Sequence, residues 1–273
     1  MSNFIKNNGS VWREIGGKYY VRTPMADMFP PRVPIYSGMF GGGNVEYILA
    51  GRGHDVRGYD KSFLRVNFWQ QALVRAGELA NYIEINYFDR MNKDLFEKIQ
   101  AELKQSPAPG FATAAKTWIV DCCCRDGLLF GGYSSGKQRL RLAAIERLRQ
   151  FSYPNVTVEL ADFRDSLPKN ADRYKFLDPP YWSANGSLYW DRDNADLHRD
   201  FPHVALAEML YHTDKWILTY DNVGEVRFLY RRFRKTTDIQ WRYSAGGKGR
   251  RSNELVIVSD DFEVPDVYEW VRD

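Results

Sequence analysis

Asp178-Pro179-Pro180-Tyr181 brings an acid, rigid carbonyls and an aromatic ring together within one tetrapeptide. The preceding Tyr174-Lys175-Phe176-Leu177 reads as a strand. Two successive prolines, which lack a backbone donor and fix φ, end that strand in a stiff turn. Ligands of open α/β sheets bind at the carboxyl ends of strands. The set suits a planar heterocycle with an exocyclic amine: Asp178 and the Pro179 carbonyl accept the two amine hydrogens, Pro180 stiffens the corner, and Tyr181 stacks on the ring. The plainer reading is a strand terminator whose Asp caps a local backbone group. The tetrapeptide alone leaves both standing.

A second group is Phe40-Gly41-Gly42-Gly43, with Asp60 seventeen positions beyond. Glycines let the backbone pass close to a nucleoside-like ligand, and an acid that ends the next strand can take both ribose hydroxyls. The loop does not match G-x-G-x-x-G, and a simple glycine-rich turn is the alternative.

These groups need elements to hold them. Val33–Tyr36 reads as a strand, Asn44–Leu49 as a helix and Asp55–Tyr59 as a second strand, the order of a nucleotide-binding βαβ unit. From Asn67 to Gln105 the apolar residues recur at helical spacing until Ser106-Pro107-Ala108-Pro109-Gly110 breaks the pattern. Trp118–Cys124 fits a buried helix or a strand, Gly127–Gly136 a loop or hairpin, and Leu140–Phe151 an amphipathic helix. Val156–Leu160, Tyr174–Leu177, Trp216–Tyr220 and Leu255–Val258 read as strands, and Val204–Tyr211 as a helix. The simplest architecture is α/β, one parallel-type, Rossmann-like sheet interrupted by a mostly helical insertion at 70–150. The two flanking stretches, 1–69 and 151–273, then form one domain.

The 273 residues are 44% hydrophobic and 27% charged, which excludes collagen-like and wholly disordered chains. Net charge is only +3, yet the basic residues are concentrated. Nine Lys/Arg fall between Arg227 and Arg251 against the single acid Asp238, and five Arg fall between Arg125 and Arg149. Such runs suit a polyanionic partner; solvated helix faces are the bland alternative. No apolar run reaches a membrane span and no signal-peptide block opens the chain. The three cysteines are adjacent, Cys122 to Cys124, so they build neither a disulfide framework nor a zinc site, and read as small buried hydrophobes. His54, His198, His203 and His212 show no metal spacing and read as surface or structural residues. A reducing, cytoplasmic setting is expected, with neither membrane nor metal.

Taken in order, the motifs resemble those of the Dam-type, N6-adenine-specific DNA methyltransferases, which use S-adenosylmethionine. Ile15-Gly16-Gly17-Lys18-Tyr19 is similar to that family's N-terminal motif, and Phe40 to Gly43 to its cofactor loop. Asp60 matches its ribose-binding acid, Asp162-Phe163 the segment beside the cofactor's adenine ring, and Asp178 to Tyr181 the catalytic motif. Glu254-Leu255-Val256-Ile257, after an Arg-rich loop, matches its C-terminal strand. The 70–150 insertion stands where the family keeps its target-recognition domain. The chain departs from the family at Ser37-Gly38, where an acid and a proline are usual, and at Glu14, where a ring is common.

The resemblance implies a Rossmann-like methyltransferase fold and methyl transfer to adenine N6 of double-stranded DNA, on a base flipped out of the duplex. Lys18, Phe40, Gly41, Gly43, Asp60, Asp162, Phe163 and Asp178 would meet the cofactor, Lys18 near its carboxylate or the site entrance. Asp178, Pro179, Pro180 and Tyr181 would carry the chemistry. Lys137 and Arg139 would face DNA phosphates, and Lys248, Arg250 and Arg251 would lie on a basic hairpin at the DNA backbone. Cytosine N4 or an RNA amine fits the same tetrapeptide. The departures fit a catalytically weak DNA-binding relative.

Overall fold

Short strands, most of them ending on an acid or within two residues of one, are the framework of the protein. In the computed structural model the described residues are 10–12, 17–105, 107–125, 129–134, 140–183, 200–233, 235–239, 242–243, 250–251 and 253–263. Five strands run parallel: β1 (Ile35–Ser37), β2 (Val56–Asp60), β3 (Val156–Leu160), β4 (Tyr174–Leu177) and β5 (Trp216–Asp221). Two more, β6 (Thr236–Ile239) and β9 (Glu254–Val258), complete a seven-stranded sheet in the order β3-β2-β1-β4-β5-β9-β6. β7 (Arg242–Tyr243) and β8 (Arg250–Arg251) form a separate antiparallel ribbon. Every residue of β5 and β9 is buried, as expected of strands covered on both faces.

The sheet is mixed, which corrects the expectation of a parallel one: β9 pairs antiparallel with both β5 and β6. The cause is the connection. β6 and β9 are joined through the β7–β8 ribbon, and a parallel pairing there would need a crossover, usually helical. Thr236-Thr237-Asp238-Ile239 lies inside the basic run and has one apolar residue in four, so its strand character is not legible in the sequence.

Helices cover both faces. On one, α8 (His203–Leu210) and α9 (Gly224–Leu229) bury Leu206, Leu210 and Val226 against Leu177, Leu218 and Ile257. On the other, α1 (Arg22–Asp27), α2 (Asn44–Gly51) and the insertion share one apolar core with the sheet, running from Met25, Val56 and Val158 through Trp69 to Trp118 and Ile145. The insertion between β2 and β3 is helical as read: α3 (Phe63–Tyr87), α4 (Lys93–Lys104), α5 (Phe111–Cys123) and α6 (Leu142–Arg149). Ser62 and Asn92 cap α3 and α4 with their side-chain oxygens. Position 70 falls within α3, whose first turns lie in the common core and which bends at Arg75 (φ −147°, ψ 48°). The three cysteines are buried at the end of α5. No helix among the described residues is long and apolar enough to cross a membrane.

Candidate active site

The carboxyl ends of the parallel strands gather acids. Asp60 ends β2, Asp162 follows β3, Asp178 follows β4, and Asp221 ends β5. From β1 the chain runs through β2 to β3 on one side, then returns to place β4 and β5 on the other. The crevice outside β1 and β4 is therefore a topological switch point, where open α/β sheets take their ligands. Ser37 stands opposite Phe176 in the β1–β4 register. The glycine loop and the proline corner thus leave neighbouring strands at nearly the same level.

At the corner, Asp178 lies between the N-terminal segment and β5. Lys18, 160 positions away, places its Nζ 2.6 Å from Oδ1 of Asp178 and donates to the Tyr181 hydroxyl at 2.9 Å. Thr219 of β5 also donates to Oδ1, at 2.6 Å. Among the described residues no hydrogen bond reaches Oδ2, and the Asp178 side chain is 23% exposed. Lys18 is 2% exposed and also lies 3.6 Å from the carboxylate of Glu254 at the start of β9. The Tyr181 hydroxyl donates to that same carboxylate. The cluster therefore holds a buried ammonium between two carboxylates and a phenol, beside one free carboxylate oxygen.

The segment after the corner is held from β5. Asp221 accepts hydrogen bonds from the Trp182 amide at 2.9 Å and the Ser183 amide at 2.8 Å. The Tyr181 ring stacks on Tyr220, with centroids 6.2 Å apart and 29° between the planes. His203 contacts the Tyr220 hydroxyl through Nδ1, and its ring lies 4.9 Å from Trp182. Burial holds the Tyr220 phenol well above its ordinary pKa of 10, so it is a neutral member of this aromatic layer.

The glycine loop differs from its expected role in one respect. Phe40 turns its ring inward: it is 2% exposed and meets Tyr47 and Trp69 edge to face at 5.7 and 5.8 Å. Gly58 on β2 makes room for that ring, since a Cβ there would lie 2.1 Å from Cδ2 of Phe40. Gly43, with φ +67°, turns the loop into α2. Gly41 donates to Asp60 at 2.8 Å and accepts from the Trp69 indole at 3.0 Å. Asp60 also takes the Ser62 amide at 2.8 Å and Arg65 at 3.2 and 3.3 Å, so in this structure it ties the loop to α3. At Ser37, where the resembled family keeps an acid nearby, Glu46 of α2 brings one: the Ser37 hydroxyl donates to it at 2.6 Å, fully buried.

Asp162 caps the four-residue helix α7 (Phe163–Ser166) and pairs with Arg164 at 2.8 Å. Hydrogen bonds from Arg164 hold its carboxyl below the usual carboxylate range. Phe163 is buried against Phe201, with centroids 5.3 Å apart. Lys18, Asp178, Pro179, Pro180 and Tyr181 thus come together at the corner. Asp60, Asp162 and the glycine loop lie along the same edge, with protein partners of their own. Lys137, Arg139 and Lys248 lie outside the described residues. Arg250 and Arg251 form β8, opposite Tyr243 and Arg242.

Glu254, Thr219 and Asp221 were not read as site residues from the sequence. The signal for Asp221 was present, because every parallel strand but β1 ends on or next to an acid. Glu254 and Thr219 gave none, since their role depends on which strands pair.

No family model matches the chain and no curated protein is similar to it in sequence. A solved structure that is similar in part is a "SAM Dependent Methyltransferase from Agrobacterium tumefaciens", at 10% identity and a TM-score of 0.37, the overlap covering 88% of this chain. The chain spans 60% of that neighbour's length. This is a partial likeness of chain trace, and it assigns neither family nor activity.

Proposed function

We propose that the chain transfers a methyl group from S-adenosylmethionine to an exocyclic amine of a nucleobase, adenine N6 in duplex DNA being the acceptor. The observation that carries the reading is the proline corner at the switch point, which offers a carboxylate with one free oxygen beside a buried ammonium and an aromatic ring. An adenine amine is a poor nucleophile because its lone pair is delocalised into the ring. Hydrogen bonds from that amine to Oδ2 of Asp178 and to the Pro179 carbonyl draw the nitrogen toward tetrahedral geometry. They strengthen as positive charge develops on it, so they stabilise the transition state more than the ground state. Tyr181 supplies a stacking face worth about 1–3 kcal/mol. Reaching the base requires flipping it from the duplex, at about a few kcal/mol.

The donor set fits the methyl donor. Its amino-acid end needs both signs of charge, which Lys18 and Asp178 provide. Its ribose needs an acid beside a glycine loop, which Asp60 provides by exchanging the Ser62 or Arg65 bond. When bound, the donor supplies a methyl group activated by a sulfonium. The basic runs around Arg227–Arg251 and Arg125–Arg149 suit the phosphate backbone. The test is incubation with methyl-labelled S-adenosylmethionine and duplex DNA, single-stranded DNA or RNA, followed by nucleoside analysis. N6-methyladenine in DNA is the expected product. N4-methylcytosine or a methylated RNA nucleoside would replace the acceptor, and no label in any acceptor would overturn the reading.

A further inference from the structure

Glu254 has no part in the chemistry described so far, yet its position ties the corner together. It opens β9 opposite Asp221 of β5 and is 2% exposed. Its carboxylate accepts from the Tyr181 hydroxyl and lies 3.6 Å from Nζ of Lys18, which itself stands 2.6 Å from Asp178. Both carboxylates are therefore within ion-pairing reach of one nitrogen. A buried carboxylate is tolerated only when it is paired and hydrogen-bonded, and here one ammonium lies within reach of two of them.

We propose that Glu254 is a positioning residue: it shares Lys18 with Asp178 and takes the Tyr181 hydroxyl bond, so that an oxygen of Asp178 stays free to accept a substrate amine. Glu254→Gln keeps the shape and an acceptor for Tyr181 but removes the charge that draws on Lys18, leaving that ammonium more fully on Asp178. The inference rests on the methyl-transfer reading only for the nature of the incoming group. The sharing of Lys18 stands on the geometry alone.

Two arms keep these separable. In urea unfolding, Glu254→Gln is compared in the wild-type and Lys18→Met backgrounds. Without the ammonium the two carboxylates repel, so the substitution is expected to be more favourable there, with a coupling of about tenfold or more in the unfolding equilibrium constant. Equal effects in both backgrounds would overturn the shared-cation arrangement. In methyl transfer, Glu254→Gln is expected to lower kcat by about 10- to 100-fold, with KM for the nucleic acid changed less than about twofold. Glu254→Asp, which restores the charge, should recover part of the loss, and Glu254→Leu none. A merely structural residue would shift the unfolding midpoint without this division between kcat and KM, and unchanged kcat would overturn the positioning role. If the wild type methylates no acceptor, the proposed function fails, and the unfolding arm alone decides the role of Glu254.

Discussion

Gly58→Ala is the sharpest test of how the glycine loop is anchored. The added Cβ would meet three ring atoms of Phe40 at 2.1, 2.7 and 2.8 Å, against an ordinary carbon–carbon contact of about 3.5–4.0 Å. The ring cannot swing aside freely, because it is 2% exposed and enclosed by Tyr47 and Trp69. Its backbone is tied as well: the Phe40 amide donates to Tyr59 at 2.9 Å, and its carbonyl accepts from Gly43 at 2.9 Å. Overpacking of this kind costs about 1–3 kcal/mol, while replacing a strand glycine by alanine returns about 0.5–1 kcal/mol of backbone entropy. The net loss is about 0.5–2 kcal/mol, a fall in Tm of about 1–8 °C for a chain of this length. Thermal melts of Gly58→Ala, Phe40→Ala and the double variant decide the cause. Phe40→Ala alone should cost about 3–5 kcal/mol, and in its background Gly58→Ala should be neutral or slightly stabilising. An equal loss in both backgrounds would refute the contact between residue 58 and Phe40 as the reason for the glycine.

Three further outcomes are expected. Asp178→Ala should abolish methyl transfer while leaving DNA affinity within about threefold, as measured by fluorescence anisotropy, because the phosphate contacts that dominate affinity lie elsewhere; retained turnover would exclude the chemistry proposed for the corner. Asp221→Ala frees the Trp182 and Ser183 amides, and should cost about 1–3 kcal/mol in urea unfolding and reduce turnover by loosening Tyr181; an unchanged midpoint would argue against the anchoring role. Lys175, buried with its ammonium on the carbonyls of Ala171, Arg173 and Asp214, has its pKa lowered by burial from 10.5 to about 8. From about pH 8 upward the folded chain gives up this proton before the unfolded chain does, so stability rises with pH, by at most about 3 kcal/mol. The rise continues until buried tyrosines such as Tyr153, held by burial at about 12 instead of 10, reverse it. Urea midpoints against pH should show the rise in wild type and lose it in Lys175→Met, and a flat wild-type curve would contradict it.

Much of the framework was legible because it is local. Strands such as Val156–Leu160 and Tyr174–Leu177 announce themselves by apolar, β-branched or aromatic runs, and prolines and glycines mark their ends. The segment Trp118–Cys124 was ambiguous because a short apolar run satisfies either period; it is the end of the helix Phe111–Cys123, after which Cys124 turns extended and bridges to Tyr133. His203 read as a surface or structural residue, and the structure sets it against Tyr220 behind the corner. Phe40 read as a cofactor contact, whereas its ring lies in the core, because Gly58 from the neighbouring strand opens a space that no motif records.

The sequence by itself determined that an acid, two prolines and a tyrosine would close a strand, that a glycine loop would open a helix, and that a helical block would separate the second and third strands. Those features depend on residues within a few positions of one another, whose conformational limits are intrinsic. Only the tertiary structure decided that β9 reverses direction between β5 and β6, and that Lys18 reaches Asp178 across 160 positions of chain. It also decided that Glu254 and Thr219 close on the same corner. Such contacts form where strand order brings distant segments together, and there a buried charge must find its partner through space, whatever lies beside it along the chain.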